Sequence, residues 1–126
     1  MTKQMLVCED HPFMQELVEI AAKKHGIEVS CTDKVEDLVA IAKSGRHFDF
    51  VTLDYNVIGG DTLAFCVDLG NNKHPHLKGS AMLLISDNEE SRNEQEKHLG
   101  GMRIHNIRKV NLLMEVQRAI TESPSS

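Results

Sequence analysis

The segment Met5-Leu6-Val7-Cys8-Glu9-Asp10 sets the pattern for the whole chain, because a short apolar run stops abruptly at two acids. The arrangement returns at residues 48–53, which lead into Asp54, and at residues 81–85, which lead into Ser86. Short apolar runs rich in valine, isoleucine, leucine and phenylalanine predict buried strands. Three strands are therefore expected to end in acidic or hydroxyl side chains.

Helical patterns separate these strands from one another and from two further strands expected at residues 27–31 and 102–107. Apolar residues recur at helical spacing in four places: Met14-Leu17-Val18-Ala21, Val35-Leu38-Val39-Ala42, Leu63-Cys66-Val67 and Leu112-Val116-Ala119-Ile120. Residues 88–98 also favour helix, so strand and helix alternate five times, which predicts a parallel sheet covered by helices on both faces. Right-handed crossovers favour an open, doubly wound sheet.

Composition limits the possible classes of protein. The chain has 126 residues, enough for one domain, and its 40% hydrophobic and 26% charged residues are typical of globular proteins. A net charge of -5 argues against a nucleic-acid-binding module. Without a membrane-length apolar run or signal-peptide anatomy, a cytoplasmic protein is expected. The three cysteines form no CxxC pair and are expected to be reduced, packed thiols.

The strand ends predict a site, because ligands of open parallel sheets bind beyond the carboxyl ends of the strands. The side chains expected at that edge are acidic, hydroxyl and basic: Glu9, Asp10, Asp54, Ser86, Arg108 and Lys109. Three carboxylates brought together repel one another, and a divalent cation relieves that repulsion. All-oxygen ligands favour Mg²⁺ or the similar Mn²⁺. A hydroxyl and a basic group nearby complete a site suited to a phosphoryl group.

These segments resemble the receiver domain of a two-component response regulator. The resemblance runs from Met5 to about Ile120 and is carried by residues 5–12, 51–56 and 83–86. It implies a flavodoxin-like (βα)5 fold whose five parallel strands have the order 2-1-3-4-5. It also implies a receiver domain over residues 1–121, followed by a polar tail or the start of a linker at 122–126.

The resemblance assigns a role to each candidate residue. Asp54 is the implied phosphoacceptor. The implied metal ligands are Asp10 directly, Glu9 through water, Asp54 itself and the backbone carbonyl of Asn56. The implied phosphoryl-binding and switch residues are Ser86, His105 and either Arg108 or Lys109.

The implied function is that of a stand-alone signalling switch rather than an enzyme. A sensor histidine kinase or phosphotransfer protein supplies the phosphoryl group, and the phosphorylated domain contacts a downstream protein through the face made by helix 4, strand 5 and helix 5. Neither nucleic acid nor a membrane is an expected partner.

The chain departs from the usual receiver pattern at several positions. The family usually has a Lys-Pro pair after strand 5, whereas this chain has Arg108-Lys109 and no proline. Counting from Gly101 puts Arg108 at the lysine position, and a one-residue slip puts Lys109 there. Thr62 replaces a usual glycine, and Asp87 stands where a small residue is common. These departures leave open a degenerate receiver that acts as a phosphorylation-independent interaction module.

A small phosphohydrolase with an aspartate nucleophile is disfavoured, because Asn56 occupies the usual position of its general acid and an amide cannot perform that proton transfer.

Residues 88–98 favour helix but contain no apolar side chain. Such a helix faces a partner, is held by charge pairs, or is poorly ordered.

Overall fold

A computed structural model describes residues 2–122 of the chain. Its central sheet has five parallel strands: β1 (Gln4–Cys8), β2 (Glu28–Thr32), β3 (Phe50–Asp54), β4 (Ala81–Ile85) and β5 (Arg103–Ile107). Five α-helices alternate with them: α1 (Pro12–Lys24), α2 (Val35–Lys43), α3 (Leu63–Gly70), α4 (Glu89–Lys97) and α5 (Leu112–Glu122). The predicted alternation of strands and helices is confirmed.

The order of the strands is β2-β1-β3-β4-β5, and every neighbouring pair is parallel. The predicted doubly wound sheet and its strand order are therefore confirmed. From β1 the chain moves outward to β2, and it then crosses back to place β3 on the other side of β1. The carboxyl ends of β1 and β3 thus flank the point where the winding reverses, which is where ligands bind in such sheets.

Both faces of the sheet are buried, which explains why its inner strands are apolar at successive positions. Side chains at alternate positions of β1 enter different cores, with Met5 and Val7 in one and Leu6 and Cys8 in the other. The first core includes residues of α1 and α5, and the second includes residues of α2 and α3. The sheet that carries the carboxyl edge is thus packed on both faces.

Several local features differ from the sequence expectations. Cys31 is an exposed free thiol on the edge strand β2, so its predicted packing is wrong, whereas Cys8 and Cys66 are buried as expected. Glu122 is the last residue of α5, so the predicted tail at 122–126 begins inside a helix. Residues 123–126 lie outside the described part of the chain.

The turn after β3 contains a short antiparallel pair that the sequence did not predict. Asn56–Val57 pairs with Gly60–Asp61. Gly59 and Gly60 adopt positive φ angles of 89° and 137°, which glycine reaches without steric cost. Ile58, between the two short strands, forms a bridge to the residue that precedes α2. The loop that follows Asp54 is therefore tied to a neighbouring loop at the same edge.

Candidate functional site

Three carboxylates meet at the carboxyl edge of β1 and β3. One oxygen from each of Glu9, Asp10 and Asp54 lies within 4.8 Å of the other two. The register explains this arrangement, because Cys8 at the end of β1 pairs with Leu53, so the residues that follow come side by side. The convergence expected from the strand ends is therefore present.

Glu9 is the most deeply buried of the three acids, with no solvent exposure. Its Oε2 accepts a hydrogen bond of 3.1 Å from the backbone N–H of His11. The side-chain amide of Gln15 donates to its backbone carbonyl. Burial raises the pKa of Glu9 well above its ordinary value, and the neighbouring Asp54 carboxylate raises it further.

Asp54 is 4% exposed, and its carboxylate lies beside a positive charge. The Lys109 Nζ is 3.5 Å from its Oδ1. Burial raises the pKa of Asp54, whereas hydrogen bonding with Glu9 and the charge of Lys109 oppose that rise. The aspartate is thus a buried acid with one cation beside it, and that cation favours the ionised form.

The structure shows which of the two basic residues, Arg108 or Lys109, lies at the acid cluster, a choice that the sequence left open. Lys109 contacts Asp54, whereas the Arg108 guanidinium Nε lies 3.5 Å from the Glu115 carboxylate. Glu115 also accepts the backbone N–H of Arg108 at 3.2 Å. The Asp87 carboxylate accepts the backbone N–H of Lys109 at 3.1 Å. One acid therefore holds Arg108 outside the cluster, and another fixes the main chain that carries the lysine.

Ser86 follows β4 at the same edge, since its preceding residue Ile85 pairs with Asp54. Its hydroxyl accepts the Asn88 backbone N–H at 3.0 Å, and the Asn88 carbonyl lies 3.3 Å from it. The hydroxyl is thus engaged with its own turn. His105 lies within β5, where it pairs with Leu83, and burial lowers its pKa. It is therefore set back along the strands from the edge where the acids meet.

Asn56 is exposed in the short antiparallel pair, two residues beyond Asp54. The carbonyl of Tyr55, between them, accepts the Thr62 backbone N–H at 2.9 Å. This bond closes the loop beneath the acid cluster. The assignment of the Asn56 carbonyl as a metal ligand stays a prediction.

The acid cluster fits a hard divalent cation. All its donors are carboxylate oxygens, the ligand type that Mg²⁺ and Ca²⁺ prefer. The Glu9 Oε1 is buried and has no hydrogen-bond partner within the described residues. A buried oxygen without a partner is costly unless a proton or a cation satisfies it. These two observations make the residues present suitable for a metal ion.

Two polar residues at the site were not recognised from the sequence as working together. Thr62 is fully buried, and its hydroxyl donates a 2.8 Å hydrogen bond to the backbone carbonyl of Asp54. Gln95 of α4 is also fully buried and donates to the Thr62 hydroxyl at 2.9 Å. In the sequence, Thr62 stood out as a departure from the receiver pattern. Its hydrogen bond with Gln95 could not be predicted, because that bond depends on how α4 packs.

Comparison with solved structures identifies the fold. The chemotaxis response regulator CheY4 of Vibrio cholerae has a TM-score of 0.79 at 15% identity, over 96% of this chain and 98% of that one. A response regulator receiver domain from Rhodospirillum rubrum has a TM-score of 0.71 at 12% identity, over 91% and 89%. This chain has the receiver fold.

A third structure of similar fold contains a phosphorylated side chain and a bound ion. It is a Burkholderia pseudomallei response regulator with a phosphorylated aspartic acid, a calcium ion and citrate, at a TM-score of 0.69 and 14% identity, over 98% of this chain and 77% of that one. No protein-family model matches this sequence, and no curated protein does. Within the described residues, the helices are too short or too polar to cross a membrane.

Proposed function

We propose that this protein is a phosphorylatable signalling domain whose Asp54 accepts a phosphoryl group from a histidine kinase or a phosphotransfer protein. The observation that carries the proposal is the meeting of Glu9, Asp10, Asp54 and Lys109 at the point where the sheet reverses its winding. The receiver fold supports it, as does the phosphorylated aspartic acid in the Burkholderia pseudomallei response regulator.

The proposed reaction is a nucleophilic displacement at phosphorus. A carboxylate oxygen of Asp54 attacks the phosphoryl group of a phosphohistidine, the new P–O bond forms, and the P–N bond breaks with its electron pair left on the imidazole. The product is an acyl phosphate on Asp54 and a histidine on the partner. The ammonium group of Lys109, beside the attacking carboxylate, favours its ionised form and offsets charge on the phosphoryl oxygens.

The same residues would hold Mg²⁺ or Mn²⁺ at the reacting group. Glu9, Asp10 and Asp54 supply carboxylate oxygens, and the backbone carbonyl of Asn56 is the proposed fourth ligand. When bound, the cation neutralises negative charge on the transferring group. This role agrees with the unpartnered Oε1 of Glu9.

The switch residues are proposed from their places at this edge. Ser86 is poised to exchange its bond to Asn88 for one to a phosphoryl oxygen, because it follows the residue that pairs with Asp54. His105 lies on β5, between this edge and the surface formed by α4, β5 and α5. We propose that the change in the Ser86 hydrogen bond reaches that surface through His105. That surface is the proposed contact for a downstream protein.

The three free thiols agree with a reducing compartment such as the cytoplasm.

Intact-mass measurement tests this proposal. Treatment with Mg²⁺ and acetyl phosphate is expected to add the mass of one phosphoryl group to the wild-type protein and none to Asp54→Asn. Asp68→Asn is a matched control, because it removes a surface carboxylate paired with Lys73. An unmodified wild-type protein, or equal modification of Asp54→Asn, would overturn the assignment.

A second candidate function is an interaction module that works without phosphorylation. The observation in its favour is the exposed Asp87 carboxylate, which adds negative charge directly after Ser86 and opposes an incoming phosphodonor. This candidate requires a partner protein to bind wild type and Asp54→Asn equally. A large loss of affinity in Asp54→Asn would remove it.

A further inference from the structure

Helix α4 is attached to the rest of the domain in an unusual way. Its nine residues, Glu89–Lys97, include no apolar side chain, so no apolar stripe docks it on the sheet. Gln95 is nevertheless completely buried, and it is the only buried residue of this helix. Asn106 of β5 donates to Glu96 at 2.9 Å, but that contact is exposed. The one fully buried side chain of α4 is therefore an amide, although the Nε of the partly exposed Arg92 is buried as well.

The Gln95 amide reaches the phosphoacceptor strand through one intermediate. Its Nε2 donates to the Thr62 hydroxyl at 2.9 Å, and that hydroxyl donates to the Asp54 carbonyl at 2.8 Å. The Thr62 backbone N–H donates to the Tyr55 carbonyl at 2.9 Å. Thr62 is thus bonded to the last residue of β3 and to the residue that follows it, and Gln95 is bonded to Thr62.

The donors and acceptors in this chain have a fixed order. A threonine hydroxyl has one proton, and Thr62 gives it to the Asp54 carbonyl, so a further neighbour can only donate to it. Gln95 must therefore present its NH₂ group. The Gln95 Oε1 is then left buried without a partner within the described residues. A displaced Thr62 would deprive the buried Gln95 amide of its hydroxyl partner and leave the weakly hydrogen-bonding thiol of Cys66 beside it.

We infer that Thr62 and Gln95 couple the backbone at Asp54 to the docking of helix α4. Gln95 is a positioning residue in this chain, since it acts on Asp54 only through Thr62. A change at Asp54 that moves its carbonyl loosens α4, and a partner that pulls on α4 displaces Asp54 by the same linkage. The inference rests on the proposed function only for what drives the change, namely phosphorylation of Asp54.

Hydrogen exchange tests the coupling without any phosphoryl donor. Thr62→Val keeps the size of the side chain but removes the hydroxyl, whereas Thr62→Ser keeps the hydroxyl. We expect exchange of the amides of Glu89–Lys97 to become about fivefold faster in Thr62→Val, the equivalent of one net hydrogen bond. Wild-type rates are expected in Thr62→Ser and, in both variants, throughout α1. Unchanged α4 rates in Thr62→Val, or an equal rise in α1, would refute the coupling.

Transmission in the opposite direction is measured at Asp54 itself. Gln95→Leu removes the amide at similar volume, and Asn93→Leu is the matched control because Asn93 is exposed on the same helix. We expect the carbonyl-carbon NMR shift of Asp54 to change in Gln95→Leu and to stay at the wild-type value in Asn93→Leu. If the Asp54 carbonyl shift is the same in all three proteins, Gln95 anchors α4 without affecting Asp54, and the inference is overturned.

A final comparison separates this inference from the proposed function. Mg²⁺ and acetyl phosphate are added to wild type and Thr62→Val, and intact mass reports the extent of modification. At equal modification, we expect faster α4 exchange on phosphorylation in wild type and no further change in Thr62→Val. A similar response of both proteins contradicts the coupling. An unmodified wild type contradicts the proposed function instead, and the two preceding measurements then decide the inference.

Discussion

Replacing the phosphoacceptor with its amide should make the metal-free protein more stable. Asp54 and Glu9 present oxygens within 4.8 Å of each other, and two charges at that distance repel by about 1 kcal/mol in water and about 3.5 kcal/mol at an effective dielectric constant of about 20. Burial and this repulsion raise the pKa of Glu9 to about 8, so near neutral pH the pair meets the cost partly by holding a proton, and Asp54→Asn removes the cost in either form. It also removes the contact with Lys109, which is 38% exposed and contributes at most about 1 kcal/mol. The net gain in the free energy of unfolding is about 1–2 kcal/mol.

Urea unfolding at about pH 7.5 in EDTA measures this gain, and Asp68→Asn is the control, expected within about 0.5 kcal/mol of wild type. Burial raises the pKa of both Glu9 and Asp54, so the folded state holds protons that the unfolded state releases. Wild-type stability therefore falls as pH rises from the ordinary carboxyl pKa through the raised one, and this fall is smaller in Asp54→Asn.

Magnesium should remove most of the difference in stability between the two proteins. At ten times its dissociation constant, a cation that binds only the folded state adds about 1.4 kcal/mol. Wild type is expected to gain this amount, and Asp54→Asn is expected to gain much less because it lacks one carboxylate ligand. If Asp54→Asn is less stable than wild type in EDTA, or gains as much from Mg²⁺, the reasoning from charge repulsion is refuted.

Three further predictions concern other parts of the molecule. Lys109→Gln should slow phosphorylation by acetyl phosphate at least about tenfold, as loss of an electrostatic stabiliser does, and Arg108→Gln should leave the rate within about twofold. Gly70→Ala should lower the free energy of unfolding by about 1–3 kcal/mol, because the added Cβ would lie 2.4 Å from the His98 carbonyl oxygen. Burial lowers the pKa of His74, so stability should fall as pH drops through the ordinary histidine pKa, and His74→Phe should reduce that fall.

Each of these predictions has a clear contrary result. Equal rates in Lys109→Gln and Arg108→Gln would mean that the contact with the phosphoacceptor has no electrostatic role. Gly79→Ala is the control for Gly70→Ala, because an added Cβ there meets nothing within 4 Å; equal urea midpoints for the two would remove the packing argument. An identical pH dependence of the urea midpoint in wild type and His74→Phe would show that His74 does not titrate as described.

The strand-end acids were predictable because they depend on a simple rule. Parallel strands deliver their carboxyl ends to one edge, so Glu9 and Asp54 had to meet if the strands were assigned correctly. The choice between Arg108 and Lys109 could not be made in the same way. It requires the end of β5 to be known to one residue, and it depends on Glu115 holding the arginine aside. Strand ends cannot be read from apolar patterns with that precision.

The docking of α4 shows a second limit. A helix without apolar residues gives no periodic signal of which side is buried, so Gln95 could not be distinguished from its polar neighbours. The partner that explains its burial, Thr62, lies 33 positions earlier in the chain. Long-range polar pairing of this kind could not be predicted from the sequence.

The most direct measurement of the central claim locates the phosphoryl group on the chain. Protein treated with Mg²⁺ and acetyl phosphate is reduced with borohydride, which converts an aspartyl phosphate to homoserine with release of phosphate, and is then mapped by peptide mass spectrometry. We expect homoserine at position 54 and intact aspartate at position 10. Homoserine at another acid, or a phosphorylated protein that retains Asp54 unchanged, would contradict it.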